Sequence, residues 1–208
     1  MAVYALKPRF RQALRPALRI IGKLHPNIIS ALAVLFAAAA GGAFLLAPSR
    51  PAFLLLIPLL LFLRIACNAL DGMVAQERGL ATRRGELVNE ASDRLNDTLI
   101  LGGLAASGLV EVRWAASALV LTLLVSYLGV LPRAAGGSRR YDGPLGKADR
   151  MLLLGLGCVA AYAAPRLGWG GWTSGQVLDA TLLLFLPLGA ITLAVRWAKA
   201  WKELGALP

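Results

Sequence analysis

Carboxylate and carboxamide side chains concentrate in one stretch, NALDGMVAQERGLATRRGELVNEASDRLND, at 68–97. It carries six of the 11 acidic residues of a chain whose formal net charge is +11. Asn68 and Asp71 are three residues apart, and Asn89, Asp93 and Asp97 recur every four, so on helices each set lies on one face. Oxygen ligands of this kind suit hard cations such as Mg²⁺, Mn²⁺ or Ca²⁺.

A second segment, GGSRRYDGPLGKADR at 136–150, is basic. We predict that its cations bind the phosphates of a donor or an acceptor: Arg139, Arg140, Lys147 and Arg150. A divalent ion beside such cations indicates chemistry on a phosphorylated lipid or a nucleotide-activated headgroup. Two simpler interpretations stay open, namely a polar network that only locks helices together and a basic loop that only sets membrane topology.

The elements that position these residues are predicted to be transmembrane helices. The chain is 58% hydrophobic and 16% charged, with a mean hydropathy of +0.66, whereas soluble domains are about 25% charged. Helices are expected because a spanning segment must pair its own backbone polar groups. The fold class is therefore an all-α integral membrane protein with six spans, at 27–46, 51–70, 87–110, 114–132, 151–167 and 177–198.

Charge distribution predicts the topology. Of the 22 lysines and arginines, 17 lie in the segments on one side, and the connections on the other side carry one each, namely Arg50, Arg113 and Arg166. By the positive-inside rule, both termini and the polar stretch are cytoplasmic. Residues 1–24 are predicted to form an interfacial amphipathic helix on membrane lipids, and 25–208 a single six-helix domain. Because the cations sort by membrane side, no nucleic-acid partner is expected.

The spans are also expected to pack closely. A short connection with Gly79 and Gly85 joins spans two and three, which predicts antiparallel neighbours whose polar ends face each other. Small residues at 37–43 and 101–108 would let helices approach closely and could support a dimer.

The spacing of the polar stretch resembles the signature of the CDP-alcohol phosphotransferases (CDP-alcohol phosphatidyltransferases), D-x-x-D-G-x-x-A-R-x(8)-G-x-x-x-D-x-x-x-D. The identical positions are Asp71, Gly72, Ala75, Gly85 and Asp93. The segment HPNIISALAVL, at the first span, also resembles the family. Three positions depart from the signature: Asn68 and Asn89 replace its first and third aspartates, and Gln76 replaces its arginine.

The resemblance implies transfer of a phosphatidyl or substituted phosphate group from a CDP-linked donor, expected to be CDP-diacylglycerol, to an alcohol. CMP leaves, and the product belongs to phospholipid biosynthesis. The implied cofactor is Mg²⁺ or Mn²⁺, held at Asn68, Asp71, Asn89 and Asp93. Asp93 would be the catalytic base, and Asp71, Gly72, Ala75 and Gly85 would bind the nucleotide. The family also implies six spans, a prokaryotic inner or plasma membrane and a homodimer.

The two asparagines remove two negative charges from the implied ion site. We therefore expect weaker metal affinity and one ion rather than two, with Glu86, Glu90 and Asp97 as possible compensation. The alternatives are a subfamily with another substrate or metal, and a catalytically silent relative that binds a nucleotide-lipid or a partner membrane enzyme. A small transporter fits the composition but not the motif spacing.

Overall fold

The computed structural model describes residues 7–206. Within that range the chain is all α, with seven helices and no strand. The helices are α1 (Lys7–Ile21), α2 (Pro26–Leu46), α3 (Phe53–Glu77), α4 (Arg83–Ala106), α5 (Val112–Ala134), α6 (Lys147–Ala163) and α7 (Ser174–Leu204). Residues 1–6 of the predicted interfacial helix, and the last two residues of the predicted 25–208 domain, lie outside the described residues.

Local sequence signals explain where the helices begin. Pro26 is the first residue of α2, where its missing N–H costs nothing, and the His25 Nδ1 accepts a hydrogen bond from the Asn27 N–H at 3.2 Å. Thr82 caps α4 by accepting from the Gly85 N–H at 3.0 Å. Asp149 accepts from the Gly146 N–H at 3.0 Å at the start of α6. Two polar helix starts, those of α4 and α6, are therefore fixed close to the candidate site.

Six helices pack in a closed circuit. Each helix packs on the next in the order α2, α3, α6, α7, α5, α4, and α4 packs on α2 again. The helix α1 packs on α3. Spans two and three were predicted to be adjacent, but among the described residues α3 and α4 are not a closely packed pair, because each packs on α2. Their polar side chains nevertheless meet across the interior, as the prediction required.

Four helices are long and apolar enough to cross a membrane: α2, α3, α5 and α7. Large apolar side chains on their outer faces are exposed, for example Leu35, Leu59, Leu124 and Leu184, as expected for surfaces that contact lipid. This supports the predicted membrane protein. The other two predicted spans, α4 and α6, are a half-polar helix and a helix of 17 residues, and six spans therefore stay a prediction.

The small-residue segments meet where α2 crosses α4. A Cβ atom added at Gly103 would lie 2.5 Å from the Gly41 Cα, and one added at Gly41 would lie 2.4 Å from the Leu99 carbonyl oxygen. Real side chains do not tolerate such distances, so the crossing requires glycine at both positions. Gly42 and Gly102 are their immediate neighbours in the sequence, and each faces open space.

The amphipathic α1 packs its apolar face against the bundle. Leu14, Ala17, Leu18 and Ile21 contact a small cluster that includes Leu70 and Val74 of α3. The basic residues Arg9, Arg15 and Arg19 are exposed on its other side. Arg78, just after α3, donates to the carbonyl oxygens of Gly22, Lys23 and Leu24 at 3.2–3.4 Å, which satisfies groups left unpaired at the end of α1.

Candidate active site

Asp93 lies at the meeting point of α3, α4 and α6. Its side chain is fully buried, and both carboxylate oxygens have protein partners. The Asn68 amide donates to Oδ1, and the Lys147 ammonium donates to Oδ2. Arg64 Nη2 stands 3.8 Å from Oδ1. Three helices thus bring the predicted catalytic residue, one predicted ion ligand and one predicted phosphate-binding lysine into direct contact.

A second buried carboxylate, Asp97, lies one helical turn further along α4. Its two oxygens accept from Arg64 Nη2 at 3.1 Å and from Arg150 Nη2 at 2.9 Å. Arg150 also donates to the Leu145 carbonyl oxygen at 3.3 Å. All three charged side chains are almost completely excluded from solvent. In the structure the Arg150 guanidinium joins α6 to α4, and phosphate binding by Arg150 stays a prediction.

The remaining predicted ion ligands present oxygen atoms. Asp71 is 4% exposed, and its Oδ2 accepts from the Ser30 hydroxyl at 2.6 Å. Asn68 directs its amide nitrogen toward Asp93. The Asn89 Oδ1 is buried and has no hydrogen-bond partner within residues 7–206. An acceptor left unpaired in this way is costly, and a cation would satisfy it.

The chemistry of these predicted ligands suits a hard divalent ion, because carboxylate and amide oxygens are donors that Mg²⁺ and Mn²⁺ accept. No group of three or more His, Cys, Asp or Glu side chains in the described part of the chain could hold a metal. That absence agrees with the replacement of two motif aspartates by Asn68 and Asn89, whose oxygens carry no charge.

Space is available beside Asp71. A Cβ atom added at Gly72 would meet nothing within 4 Å in the described structure. Ala75, one turn later, is half-buried. Gly85 has a different local role, since its N–H is the one that Thr82 caps, and an added Cβ would lie 3.3 Å from the Thr82 hydroxyl. Gly72 is therefore the predicted nucleotide-binding glycine with the most room for a ligand.

The basic connection between α5 and α6 is held by acidic side chains. Arg139 pairs with Glu90 of α4 and lies over the Tyr141 ring, 5.0 Å from its centroid. Arg140 pairs with Glu203 of α7. Arg139 thus reaches the helix that carries Asp93, whereas Arg140 is tied to the other side of the bundle.

The two glutamates expected to compensate for the asparagines have arginine partners. Glu86 pairs with Arg133, and Glu90 pairs with Arg139, with Arg94 at 3.7 Å. These arginines largely balance the charges of both glutamates. The role predicted for the glutamates, additional negative charge at the ion site, stays a prediction.

The sequence profile of the CDP-alcohol phosphatidyltransferase family matches residues 23–201. The chain belongs to this family. The predicted family and enzyme class, a transferase of phospholipid synthesis, are therefore confirmed.

Named relatives support the assignment. The chain is 36% identical to the inner membrane protein YnbA of Escherichia coli (strain K12) over 88% of its own length and 91% of that protein. It is 29% identical to the archaetidylinositol phosphate synthase of Methanothermobacter thermautotrophicus, over 66% of this chain and 65% of that one. Among solved structures, the phosphatidylinositol phosphate synthase of Mycobacterium tuberculosis with CDP-DAG bound aligns with a TM-score of 0.70. It covers 96% of both chains at 23% identity, which shows a shared fold.

One departure from the family signature has a local counterpart. Gln76 occupies the position of the signature arginine, and its Oε1 accepts from Arg11 Nη2 of α1 at 2.8 Å. A guanidinium therefore does lie at this end of α3, although it comes from another helix.

Two contacts at the candidate site of this CDP-alcohol phosphatidyltransferase were not predicted from the sequence. Ser30 lies in an apolar segment, and nothing in its neighbourhood marks it as the partner of Asp71. Arg64 lies inside a predicted span and was left out of the topology count, although an arginine at that depth is a functional candidate. Its spacing of one turn before Asn68 was the signal that could have identified it.

A surface cavity of about 600 Å³ lies elsewhere, at the ends of α6 and α7. Its lining includes Pro51, Ala164, Arg166 and Trp172 and has no acidic residue. This cavity therefore lacks the oxygen ligands that the family chemistry needs.

Proposed function

We propose that the protein transfers a phosphatidyl group from CDP-diacylglycerol to the hydroxyl group of an alcohol. The hydroxyl oxygen forms a bond to the phosphorus that carries the lipid, the bond from that phosphorus to the CMP oxygen breaks, and CMP leaves. The single observation that supports this site best is the contact of Asp93 with both Asn68 and Lys147 where α3, α4 and α6 meet.

Asp93 is the proposed catalytic residue. As a base it takes the proton from the acceptor hydroxyl while the oxygen attacks phosphorus. The Lys147 ammonium and the nearby Arg64 guanidinium hold this carboxylate in place beside α6 and α3.

The proposed cofactor is Mg²⁺ or Mn²⁺, with Asp71, Asn68 and Asn89 as oxygen ligands and Asp93 at the edge of the set. When bound, such an ion neutralises the charge of the diphosphate and of the departing CMP. The chain's own contribution is to fix these oxygens: Ser30 holds one oxygen of Asp71, and Asn68 is held by its bond to Asp93.

The nucleotide is proposed to lie along α3, where Asp71, Gly72 and Ala75 follow one another, with Gly85 at the start of α4. Phosphate oxygens would be met by cations of the basic segment. Lys147 and Arg139 face α4 and are the better candidates. Arg150 and Arg140 belong to the same prediction, and we propose that they act by holding α6 and the connecting segment in place.

Three further proposals concern the surroundings. Six helices span a prokaryotic inner or plasma membrane, with both termini and the active site cytoplasmic, because the basic residues cluster at the end of the bundle that holds Asp93. The amphipathic α1 lies at that surface, with its exposed arginines toward anionic lipid headgroups. A homodimer is proposed from the family resemblance.

The test is metal-dependent release of CMP. Purified protein is supplied with CDP-diacylglycerol, Mg²⁺ or Mn²⁺ and a panel of alcohols that includes glycerol phosphate, inositol phosphate and serine. We expect CMP release that needs both an acceptor and the ion and that stops when the ion is chelated. Absence of release with every acceptor and either ion would contradict the proposal.

The Asn68→Asp, Asn89→Asp double variant separates an active enzyme from a silent relative. If the site is adapted to its asparagines, the double variant loses activity relative to the wild type. Activity that appears only in the double variant would identify the wild-type protein as a relative that has lost catalysis.

A further inference from the structure

We propose that Lys147 takes the place of a second cation at Asp93, so that the site binds a single divalent ion. The inference rests on the function proposed above and specifies how its ion site is occupied. It assigns Lys147 a position in the site that neither the family match nor the named relatives give it.

The first support is that protein donors already contact both carboxylate oxygens of Asp93. The Lys147 ammonium contacts Oδ2, the Asn68 amide contacts Oδ1, and Arg64 and Arg94 each stand 3.8 Å away. The carboxylate side chain is 1% exposed. A divalent ion at Asp93 would have to displace a cation that already neutralises the carboxylate.

The second support is the distribution of the remaining oxygens. The unpaired Asn89 Oδ1, the carbonyl oxygen of Asn68 and the carboxylate of Asp71 carry a single formal negative charge among them. Magnesium sites typically use one or two carboxylates and complete their shell with water and substrate phosphates. Such a set suits one ion, and the two neutral amides offer little to a second.

The third support is charge balance. Lys147 already neutralises Asp93, so Asp71 is the one carboxylate left for the ion, and a single divalent ion there keeps one positive charge for the substrate phosphates. Two divalent ions would leave a surplus of three positive charges in a buried site, where unbalanced charge is costly. Asp97 offers no further negative charge to an ion, because Arg64 and Arg150 already pair with it.

Lys147 also has the right chemistry to replace an ion. An ammonium group has three donors and no acceptor, so with one N–H on Asp93 it can direct another toward a phosphate oxygen. It would then link Asp93 to the substrate, as a bridging cation does. Lys147 is the first residue of α6, and the preceding Gly146 N–H donates to Asp149. This local structure limits which atoms the Lys147 ammonium can reach.

The experiment measures how many Mn²⁺ ions bind to the full-length protein in detergent, with Mn²⁺ alone as the probe. Equilibrium dialysis gives the stoichiometry, and electron paramagnetic resonance distinguishes an isolated Mn²⁺ from a spin-coupled pair. We expect one isolated ion per chain in the wild type. In the triple variant Asn68→Asp, Asn89→Asp, Lys147→Met we expect two coupled ions.

Two controls accompany the triple variant. Lys147→Arg keeps a cation at Asp93 and should stay at one ion. Lys199→Met removes a lysine that pairs with Asp142 outside the site and should also stay at one ion. If the triple variant does not fold, the double variant Asn68→Asp, Asn89→Asp decides: it restores both charges and keeps Lys147 on Asp93, so one ion supports the inference and two coupled ions overturn it.

Two coupled ions in the wild type, or none, would overturn the inference. Two ions together with metal-dependent CMP release would leave the proposed function in place. One bound ion with no CMP release would support the inference and count against the proposed function.

Discussion

The two halves of α4 are built in opposite ways. The first half, from Arg83 to Asp97, meets α3 through long polar side chains, with Arg64 and Asn68 reaching across to Asp97 and Asp93. The second half, around Gly103, touches α2 through backbone atoms. The polar half carries the candidate site, and the glycine half packs closely on α2. One helix therefore holds the site at one end and a tight helix crossing at the other.

The largest effect is expected at the centre of the polar half. Asp93→Asn should lower the rate of CMP release by about 100- to 10,000-fold, because the base is lost, and the folded state should persist. Glu111→Gln is the control, since Glu111 lies outside the candidate site in an exposed pair with Arg113, and it should keep near wild-type activity. Comparable activity in the two variants would remove Asp93 from the chemistry.

Asp97 tests whether the polar half also carries stability. Asp97→Asn leaves Arg64 and Arg150 buried without their counter-charge, and breaking a buried pair costs about 3–5 kcal/mol. Thermal unfolding in detergent should show a large loss. The control Glu111→Gln, from an exposed pair with Arg113, should unfold like the wild type; equal stability of the two variants would contradict a structural role for Asp97.

The glycine half is tested by two adjacent substitutions. Gly103→Ala should destabilise the protein by about 1–3 kcal/mol, because the new methyl group collides with the backbone of Gly41. Gly102→Ala places the same methyl group in open space and should be neutral or slightly stabilising. Thermal unfolding compares them. If both behave alike, the close crossing of α2 and α4 is wrong.

The smallest effect is expected in the α5–α6 connection. Burial alone would raise the pKa of Asp142, but the hydrogen bond and charge of Lys199, and then the charge of Arg140, lower it. A lowered pKa gives stability that is present above the ordinary value of about 3.9 and is lost as the pH falls through the folded value. Asp142→Asn should therefore cost less than about 1 kcal/mol at neutral pH.

That difference should shrink as the medium becomes acidic, because Asp142 then becomes protonated in the wild type as well. Unfolding midpoints of the wild type and of Asp142→Asn, measured across acidic and neutral pH, provide the comparison. A difference that grows toward acidic pH would contradict the assigned direction of the pKa.

Much of this arrangement could be predicted from the sequence, because it depends on the spacing of residues along single helices. The interval between Asn68 and Asp71, the four-residue repeat through Asp93, and the apolar segments on either side each depend on one helix at a time. The helical elements, the polar centre and the family followed from these patterns, and the meeting of residues 37–43 with 101–108 was foreseen only as a general tendency toward close packing.

What the sequence did not predict depends on contacts between helices distant in the chain. Helix packing determines three such features: α2 lies beside both α3 and α4, Ser30 donates to Asp71, and Arg150 donates to Asp97. Charge alone predicts that Arg150 binds phosphate, and the sequence does not show that Asp97 already pairs with this cation.

The most direct test of the central claim is a structure of the protein with a CDP-containing lipid and Mn²⁺, in which anomalous scattering locates the metal. The account predicts one metal peak among the oxygens of Asp71, Asn68 and Asn89, with the diphosphate beside Gly72 and the Lys147 ammonium on Asp93. A peak at any other place, or a nucleotide bound away from α3 and α4, would contradict it.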